Sequence, residues 1–268
     1  MTFSADNESS PKGQAIVDHI YSSLVAQREK SPRRNYLGAS MWGEKCERKL
    51  SFIYTKAPVP DEKKIKGPTY AIFDMGHDGE KRASEYLRIA GFTLLTERPD
   101  GSQFGFEAAK DKDGHALLSG HIDGVFIEGP KKLGDIDLTY PLMWENKALG
   151  EKSWKDVVKN GLKKSKPIYH VQIQTYCAYM DVPNGGIFTA INRNTGEIYA
   201  EVVQYDPIVA QEASDKALRI ISAGDPFELS RHTNDPSHFE CGWCAYKEIC
   251  WNQNAQTPTV NTIPSWIK

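Results

Sequence analysis

A cysteine pattern near one end constrains this chain more than any other feature. Cys241-Gly-Trp-Cys244-Ala-Tyr-Lys-Glu-Ile-Cys250 reads C-x2-C-x5-C. Two thiolates two residues apart chelate one centre, and a third follows a short turn later. A tetrahedral or cubane centre needs one more ligand, and Cys46, in Cys46-Glu-Arg-Lys49, is the natural fourth. Such a centre would staple the segment around Cys46 to the segment around Cys250. Closing so long a loop favours stability strongly once the metal is bound. Thiol spacing does not name the metal: four cysteines also make a structural zinc site, although a zinc ribbon presents two C-x2-C knuckles and this chain has one. Cys177 lies outside the pattern and reads as a small buried hydrophobe. An odd total of five cysteines argues against a disulfide framework.

The second constraint is a pair of strand-like segments that carry charge. Ser119-Gly-His-Ile-Asp-Gly-Val-Phe126 contains Asp123, and Leu142-Met-Trp-Glu-Asn-Lys147 contains Glu145 and Lys147. Glu145 and Lys147 are two apart and so share a strand face. If the two strands are neighbours, Asp123 joins them. The flanking Val125, Phe126, Leu142, Met143 and Trp144 predict buried strands, where charges are seldom placed without a partner or a metal. Paired carboxylates are hard oxygen ligands for Mg²⁺ or Mn²⁺. Such an ion acidifies a water and offsets phosphate charge, while a lysine orients the water or stabilises developing charge.

Composition narrows the classes. The chain has 268 residues, 40% hydrophobic and 25% charged, which fits a single large globular domain. No apolar run approaches the roughly 20 residues of a membrane span, and Met1–Gly13 lacks a signal-peptide core. The expectation is an intracellular, cytoplasmic protein. The formal net charge is −2, so nucleic-acid binding must come from a local patch. Lys147, Lys152, Lys155, Lys159, Lys163, Lys164 and Lys166 crowd one segment and supply a candidate. No G-x-x-x-x-G-K-(S/T) phosphate-binding loop is present.

Along the chain, residues 1–12 read as disordered. Apolar periodicity predicts a helix from about Gly13 to Glu29 with Ile16, Ile20, Leu24 and Val25 on one face. Ser40 reads as the N-cap of a helix over Met41–Tyr54 that includes Cys46. A further helix spans about Tyr70–Ala90, and its glycines Gly76 and Gly79 permit close packing. Strands follow at Phe92–Thr96, Phe104–Ala108, Ala116–Ile127 and Tyr140–Leu149, with a loop to Thr139. A short helix covers Trp154–Leu162 and a stronger one Tyr169–Met180, placing Gln172 and Tyr176 on one face. Ile187–Asn192 and Glu197–Gln204 form a hairpin through Arg193-Asn-Thr-Gly196. Asp206-Pro207 starts a helix that ends near Ala223, offering Ala210, Ala213, Ala217, Leu218 and Ile221 for packing.

Taken in order, Cys46, Asp123, Glu145-Asn-Lys147, Gln172-x-x-x-Tyr176 and the terminal C-x2-C-x5-C resemble iron–sulfur RecB-like nucleases of the PD-(D/E)xK superfamily. The resemblance covers roughly residues 36–251. Relatives of that kind include CRISPR-associated adaptation nucleases, the AddB nuclease domain and phage exonucleases. The "PD" element is absent, since Ile122 precedes Asp123. The resemblance implies a restriction-endonuclease-like α/β fold: a mixed central sheet flanked by helices, with a four-cysteine metal centre joining the N- and C-terminal parts. It implies one nuclease domain over residues 13–268, with its core at about 70–205 and cysteine-bearing parts at about 36–56 and 236–252.

It implies further that Cys46, Cys241, Cys244 and Cys250 hold a [4Fe–4S] cluster. Asp123, Glu145 and the main-chain carbonyl of Asn146 would hold Mg²⁺ or Mn²⁺. Glu80, in the G-x-x-x-(H/E) position after Gly76, would be a further ligand, with His77 as its competitor. Lys147 would position the water, and Gln172 and Tyr176 would line the site. The expected activity is DNA exonuclease action in recombination, repair or phage DNA processing. Expected partners are DNA, single-stranded or with free ends, and a recombinase, annealing protein or helicase. The rival expectations are a catalytically inactive DNA-binding or protein-interaction module of the same fold, and a zinc-stapled endonuclease.

Overall fold

The computed structural model describes residues 11–32 and 34–252. In chain order it contains α1 (Pro11–Glu29), β1 (Leu37–Gly38), α2 (Glu47–Tyr54), α3 (Gly67–Ile89), β2 (Thr93–Leu95), β3 (Gly105–Lys110), β4 (Ala116–His121) and β5 (Gly124–Glu128). There follow β6 (Lys132–Leu133), β7 (Ile136–Asp137), β8 (Leu142–Leu149), α4 (Glu151–Asn160), α5 (Leu162–Ser165), α6 (Pro167–Tyr179), β9 (Gly186–Asn192) and β10 (Ile198–Val203). The last elements are α7 (Pro207–Ser222), α8 (Phe239–Trp243) and α9 (Lys247–Trp251). Residues 1–10, expected to be disordered, and residues 253–268 lie outside the described residues.

Strand order in the central sheet is β10-β9-β8-β5-β2. Only β8 and β9 are parallel in it, and the other pairs are antiparallel. The sheet is therefore mixed, and helices flank it. The parallel pair is joined through α4, α5 and α6, because a parallel neighbour requires a crossover rather than a tight turn. A second sheet, β1-β4-β3, stands beside it.

Alternation along β8 divides the interior in two. Leu142 and Trp144 join Phe126, Leu94 and Ala83 of α3 in one apolar cluster. Met143 joins Ile173, Tyr176 and Cys177 of α6 and the alanines of α7 in the other. β8 thus has an apolar layer on both faces, as a central strand of a three-layer fold must. Cys177 is 1% exposed within the larger cluster. Among the described residues no helix is long and apolar enough to cross a membrane.

Several boundaries differ from the sequence reading, each for a physical reason. The run expected as one strand over Ala116–Ile127 breaks at Ile122-Asp123 into β4 and β5, which belong to different sheets. β4 pairs with β1 and β3, whereas β5 pairs with β2 and β8. The helix expected from Met41 begins only at Glu47: Ala39–Met41 is a 3₁₀ turn, and Cys46 is the extended N-cap residue of α2. Gly43 explains the interruption, because a Cβ there would stand 2.6 Å from the Ile168 backbone. The loop expected before Thr139 contains the small β6–β7 hairpin.

The apolar face expected on α1 is only partly covered, since Ile16 is 63% and Ile20 51% exposed. The helix is anchored by its second half, where Tyr21 lies against Gly67 and Arg28 pairs with Asp74. Leu218 of α7 is exposed, while Ala210, Ala213, Ala217 and Ile221 are buried. Asp206 caps α7 as expected, its side chain accepting from the Ile208 and Val209 amides.

Candidate active site

The break between β4 and β5 creates the site. Leaving its first sheet, the chain passes Asp123 and enters the central sheet at Gly124, opposite Trp144. Beyond Trp144 the register with β5 ends, and the next amide on that edge, Asn146 N–H, donates to Asp123 Oδ2 at 2.8 Å. A carboxylate has thus taken the place of a strand partner. Just before the break Gly120 lets β4 pack tightly under the site: a Cβ there would stand 2.7 Å from both the Tyr176 and Phe106 rings. On the other side, Gly79 lets α3 approach β8, its would-be Cβ lying 3.0 Å from Ala148 Cβ. Gly76 has open space instead and makes no such contact.

Glu145 and Lys147 share the β8 face that looks toward α6. Glu145 is 0% exposed. Its Oε1 accepts a short charge-assisted bond from Lys147 Nζ, and its Oε2 accepts from Gln172 Nε2 at 2.8 Å. Gln172 also donates to the Tyr176 hydroxyl at 3.3 Å. Lys147 Nζ sits 5.1 Å from the centroid of the Tyr169 ring. Asn146 turns to the opposite face, where its Oδ1 accepts from Thr189 Oγ1 at 2.9 Å. Thr189 Oγ1 in turn accepts from Trp144 Nε1 at 2.9 Å.

Asp123, Lys147, Gln172, Tyr176 and Glu80 line one cavity of about 890 Å³, with Glu145 buried beside it. His77 lines the cavity too. Of the two helix candidates, Glu80 is the one whose charge is felt by the rest of the set. Burial and the charge of Asp123 push its carboxyl up to about 7, against the pull of Lys147. Burial and Asp123 push Glu145 up to about 8, again against Lys147. Burial lowers the Lys147 pKa, but Glu145 and Asp123 more than offset it and the ammonium is held charged. Burial, with Glu145 and Asp123 behind it, raises the Tyr176 phenol. Three carboxylates face one ammonium, and the surplus negative charge suits a hard divalent cation.

The expected cysteines are also brought to one place. Cys46, Cys241, Cys244 and Cys250 line a separate cavity of about 580 Å³. Burial raises the thiols of Cys244 and Cys250, with nearby Lys49 and Arg48 acting in the other direction. The segments that carry them are tied directly. Arg48 donates to Leu229 O and Phe227 O at 3.0 Å each, and Phe52 stacks on Tyr246 at 5.4 Å. Among the described residues, no three of these sulfurs lie within 4.8 Å of one another, and neither do the ligand oxygens of Glu80, Asp123 and Glu145. The groups that do are His232/His238/Glu240 and Asp111/Asp113/His115.

The lysine run divides on folding. Lys155 pairs with Glu151 and Lys166 with Asp156, Lys164 and Lys166 line the cysteine cavity, and Lys147 alone of the run lines the active-site cavity. Sequence reasoning missed several residues that line the active-site cavity, among them Tyr169, Arg34, Arg193 and Ser153. Tyr169 belongs to the stretch read as helix, and Arg34 and Arg193 belong to stretches read only as a helix breaker and a hairpin turn. Arginine in a turn carries no spacing signal, so only the fold reveals it.

No protein-family model matches the chain, and no curated protein matches it. Among solved structures, that of SSO0001 is similar over 88% of this chain and 96% of its own, with TM-score 0.49 and 15% identity. The alkaline exonuclease LHK-Exo from Laribacter hongkongensis is similar over 75% of this chain and 90% of its own, with TM-score 0.43 and 14% identity. The structure of LHK-Exo in complex with dAMP is similar over 71% of this chain and 88% of its own, with TM-score 0.44 and 14% identity.

Proposed function

We propose that this chain is a metal-dependent nuclease that hydrolyses DNA phosphodiester bonds, acting on single strands or from free ends. One observation carries the reading: the fully buried Glu145 is fixed by Lys147 and Gln172 beside Asp123 and Glu80, all at one cavity. A carboxylate pushed toward its neutral form by burial and, after that, by neighbouring carboxylates is costly to keep ionised. Binding a divalent cation is the role that uses it.

Asp123 and Glu145 would hold Mg²⁺ or Mn²⁺, with Glu80 as a further ligand from α3. A residue's amide and carbonyl leave a strand on the same side. The Asn146 carbonyl therefore faces the Asp123 side of β8, where its amide already bonds, and would complete the set. The bound ion would acidify a water and offset phosphate charge. Lys147, held charged by its neighbours, orients the attacking water and stabilises the charge that develops on the phosphate. Gln172 holds the buried Glu145 carboxylate beside the cavity, and Tyr176 lines its wall.

The four cysteines would hold a [4Fe–4S] cluster rather than zinc. A zinc ribbon presents two C-x2-C knuckles, whereas this chain has one, Cys241-Gly-Trp-Cys244. Lys45, Lys49, Lys164, Arg231 and Lys247 line the same cavity and suit a centre whose thiolates are anionic. Metal and sulfide analysis of anaerobically purified protein separates the two.

The test of activity is degradation of end-labelled linear DNA in Mn²⁺, with circular DNA alongside. Wild-type protein should release label, and Glu145→Ala and Lys147→Ala should not. Failure of wild-type protein to cut any single- or double-stranded substrate would replace the enzyme with a binding module.

A further inference from the structure

Arg193 sits in the turn between β9 and β10, and nothing in the fold explains the placing of its charge. Its Nε is buried with no hydrogen-bond partner. Among the described residues its guanidinium forms no hydrogen bond or ion pair. Its backbone is held firmly, the amide donating to Leu149 O at 2.9 Å at the end of the strand that carries Glu145 and Lys147. Its Nη2 lies 3.4 Å from where a Cβ of Gly150 would stand, so the guanidinium rests over the start of α4. The side chain lines the cavity of Asp123, Lys147 and Gln172, as does Ser153 in the first turn of α4.

An arginine cannot shed its charge, and a buried donor on a charged group without an acceptor is strongly unfavourable. Such a group persists where a ligand supplies the acceptor. The fork of a guanidinium matches the oxygens of a phosphate. Glu80 and Asp123 line the same cavity and repel a polyanion, and Lys147 is already paired with Glu145, so a fixed cation away from them favours a phosphate.

We infer that Arg193 binds a phosphate of the nucleic-acid substrate adjacent to the one that is cleaved, with the Ser153 hydroxyl as a second donor. The inference rests on the nuclease reading for the identity of the ligand, but its test does not require cleavage. Arg193 here is a substrate-binding residue and takes no part in the chemical step.

The experiment is fluorescence anisotropy of a labelled single-stranded oligonucleotide titrated with the full chain in EDTA, across a salt series. Arg193→Gln should weaken binding about tenfold or more and reduce the slope of log affinity against log salt by about 1. Arg193→Lys should keep the slope and lose part of the affinity, because it keeps the charge and loses the fork. Ser153→Glu places a carboxylate where a helix N-terminus tolerates it and should weaken binding in a protein that melts normally. Oligonucleotides ending in phosphate or in hydroxyl separate a terminal phosphate from an internal one as the ligand.

Unchanged affinity and salt slope in a folded Arg193→Gln protein overturns the inference. If that variant does not fold, unchanged binding by Ser153→Glu overturns it, as does failure of wild-type protein to bind any oligonucleotide. The two readings fail separately: Arg193-dependent binding without cleavage removes the nuclease and keeps the phosphate site, whereas cleavage by a protein whose DNA affinity is indifferent to Arg193→Gln does the reverse.

Discussion

The two cavities of this molecule are organised in opposite ways. In the carboxylate cavity the central groups are fixed by hydrogen-bond partners: Glu145 by Lys147 on its own strand and by Gln172 of α6, and Asp123 by the Asn146 amide. In the cysteine cavity the fixed contacts belong mainly to the frame. Arg48 and Phe52 tie α2 to the segments around Phe227 and Tyr246, while the four thiols stand half-buried around the pocket. The first cavity is pre-organised by sheet register. The second is a clamp whose jaws already touch and whose contents would set the final distance between sulfurs. Removing one group should therefore abolish chemistry in the first and loosen structure in the second.

The largest effect should come from Lys147→Ala or Glu145→Ala. Loss of a charged group that acts only on the transition state costs about 10³-fold in rate or more. Glu145→Gln, which keeps the shape of the side chain, should be as inactive as the alanine variant. Single-turnover assays at saturating DNA measure this. A fall in affinity without a fall in rate would mean that the buried pair serves binding alone.

Cys46→Ser should leave the carboxylate cavity intact and act on the clamp. Loss of one ligand should bleach the visible absorption expected of an iron–sulfur centre. It should also lower the melting temperature by roughly 4–6 °C, equivalent to about 2–3 kcal/mol for a chain of this length. Limited proteolysis should then cut first in the 231–252 segment. Identical absorption and melting in wild-type and Cys46→Ser proteins would show that the direct contacts of Arg48 and Phe52 suffice and that the cavity holds no centre.

A third effect separates the cavities by pH. The carboxyls of Glu145 and Glu80 are pushed up to about 8 and about 7. In the window above the unfolded carboxyl value of ~4.5 and below these values, the folded protein binds more protons than the unfolded chain. Stability of the metal-free protein should therefore fall as pH rises from about 5 to 8, and Glu145→Gln should flatten that slope. Lys147 is charged in both states throughout this window and contributes nothing to the slope. Mn²⁺ selects the ionised carboxylates, so the rise in melting temperature that it causes should grow over the same window. A metal-induced rise that is independent of pH would place the ion elsewhere.

Much of this division was legible in the sequence because it rests on spacing. Glu145 and Lys147 two apart on a strand, Gln172 and Tyr176 four apart on a helix, and the C-x2-C-x5-C run each fix a geometry locally. The sheet switch at Ile122-Asp123 was not legible. Ala116–Ile127 has strand propensity throughout, and only the different partners of β4 and β5 divide it. The start of α2 was missed for a similar reason: the packing of Gly43 on Ile168 overrides a good helical pattern. Arg193 is the sharper case, because its role depends on the missing partner of one nitrogen.

The smallest effect should come from Tyr176→Phe. The hydroxyl is the more distant of the two acceptors of Gln172, at 3.3 Å against 2.8 Å for Glu145. Its removal leaves the bond that orients Glu145 in place, so the loss should be about 0.5–1.5 kcal/mol, or less than about tenfold in rate. Gln172→Ala removes both bonds and leaves Glu145 Oε2 buried without its partner, so it should cost more. The order Lys147→Ala, Gln172→Ala, Tyr176→Phe is what a site fixed outward from Glu145 requires. A Tyr176→Phe protein as inactive as Lys147→Ala would instead put the phenol on the reacting atoms, and the centre of the site would move from β8 to α6.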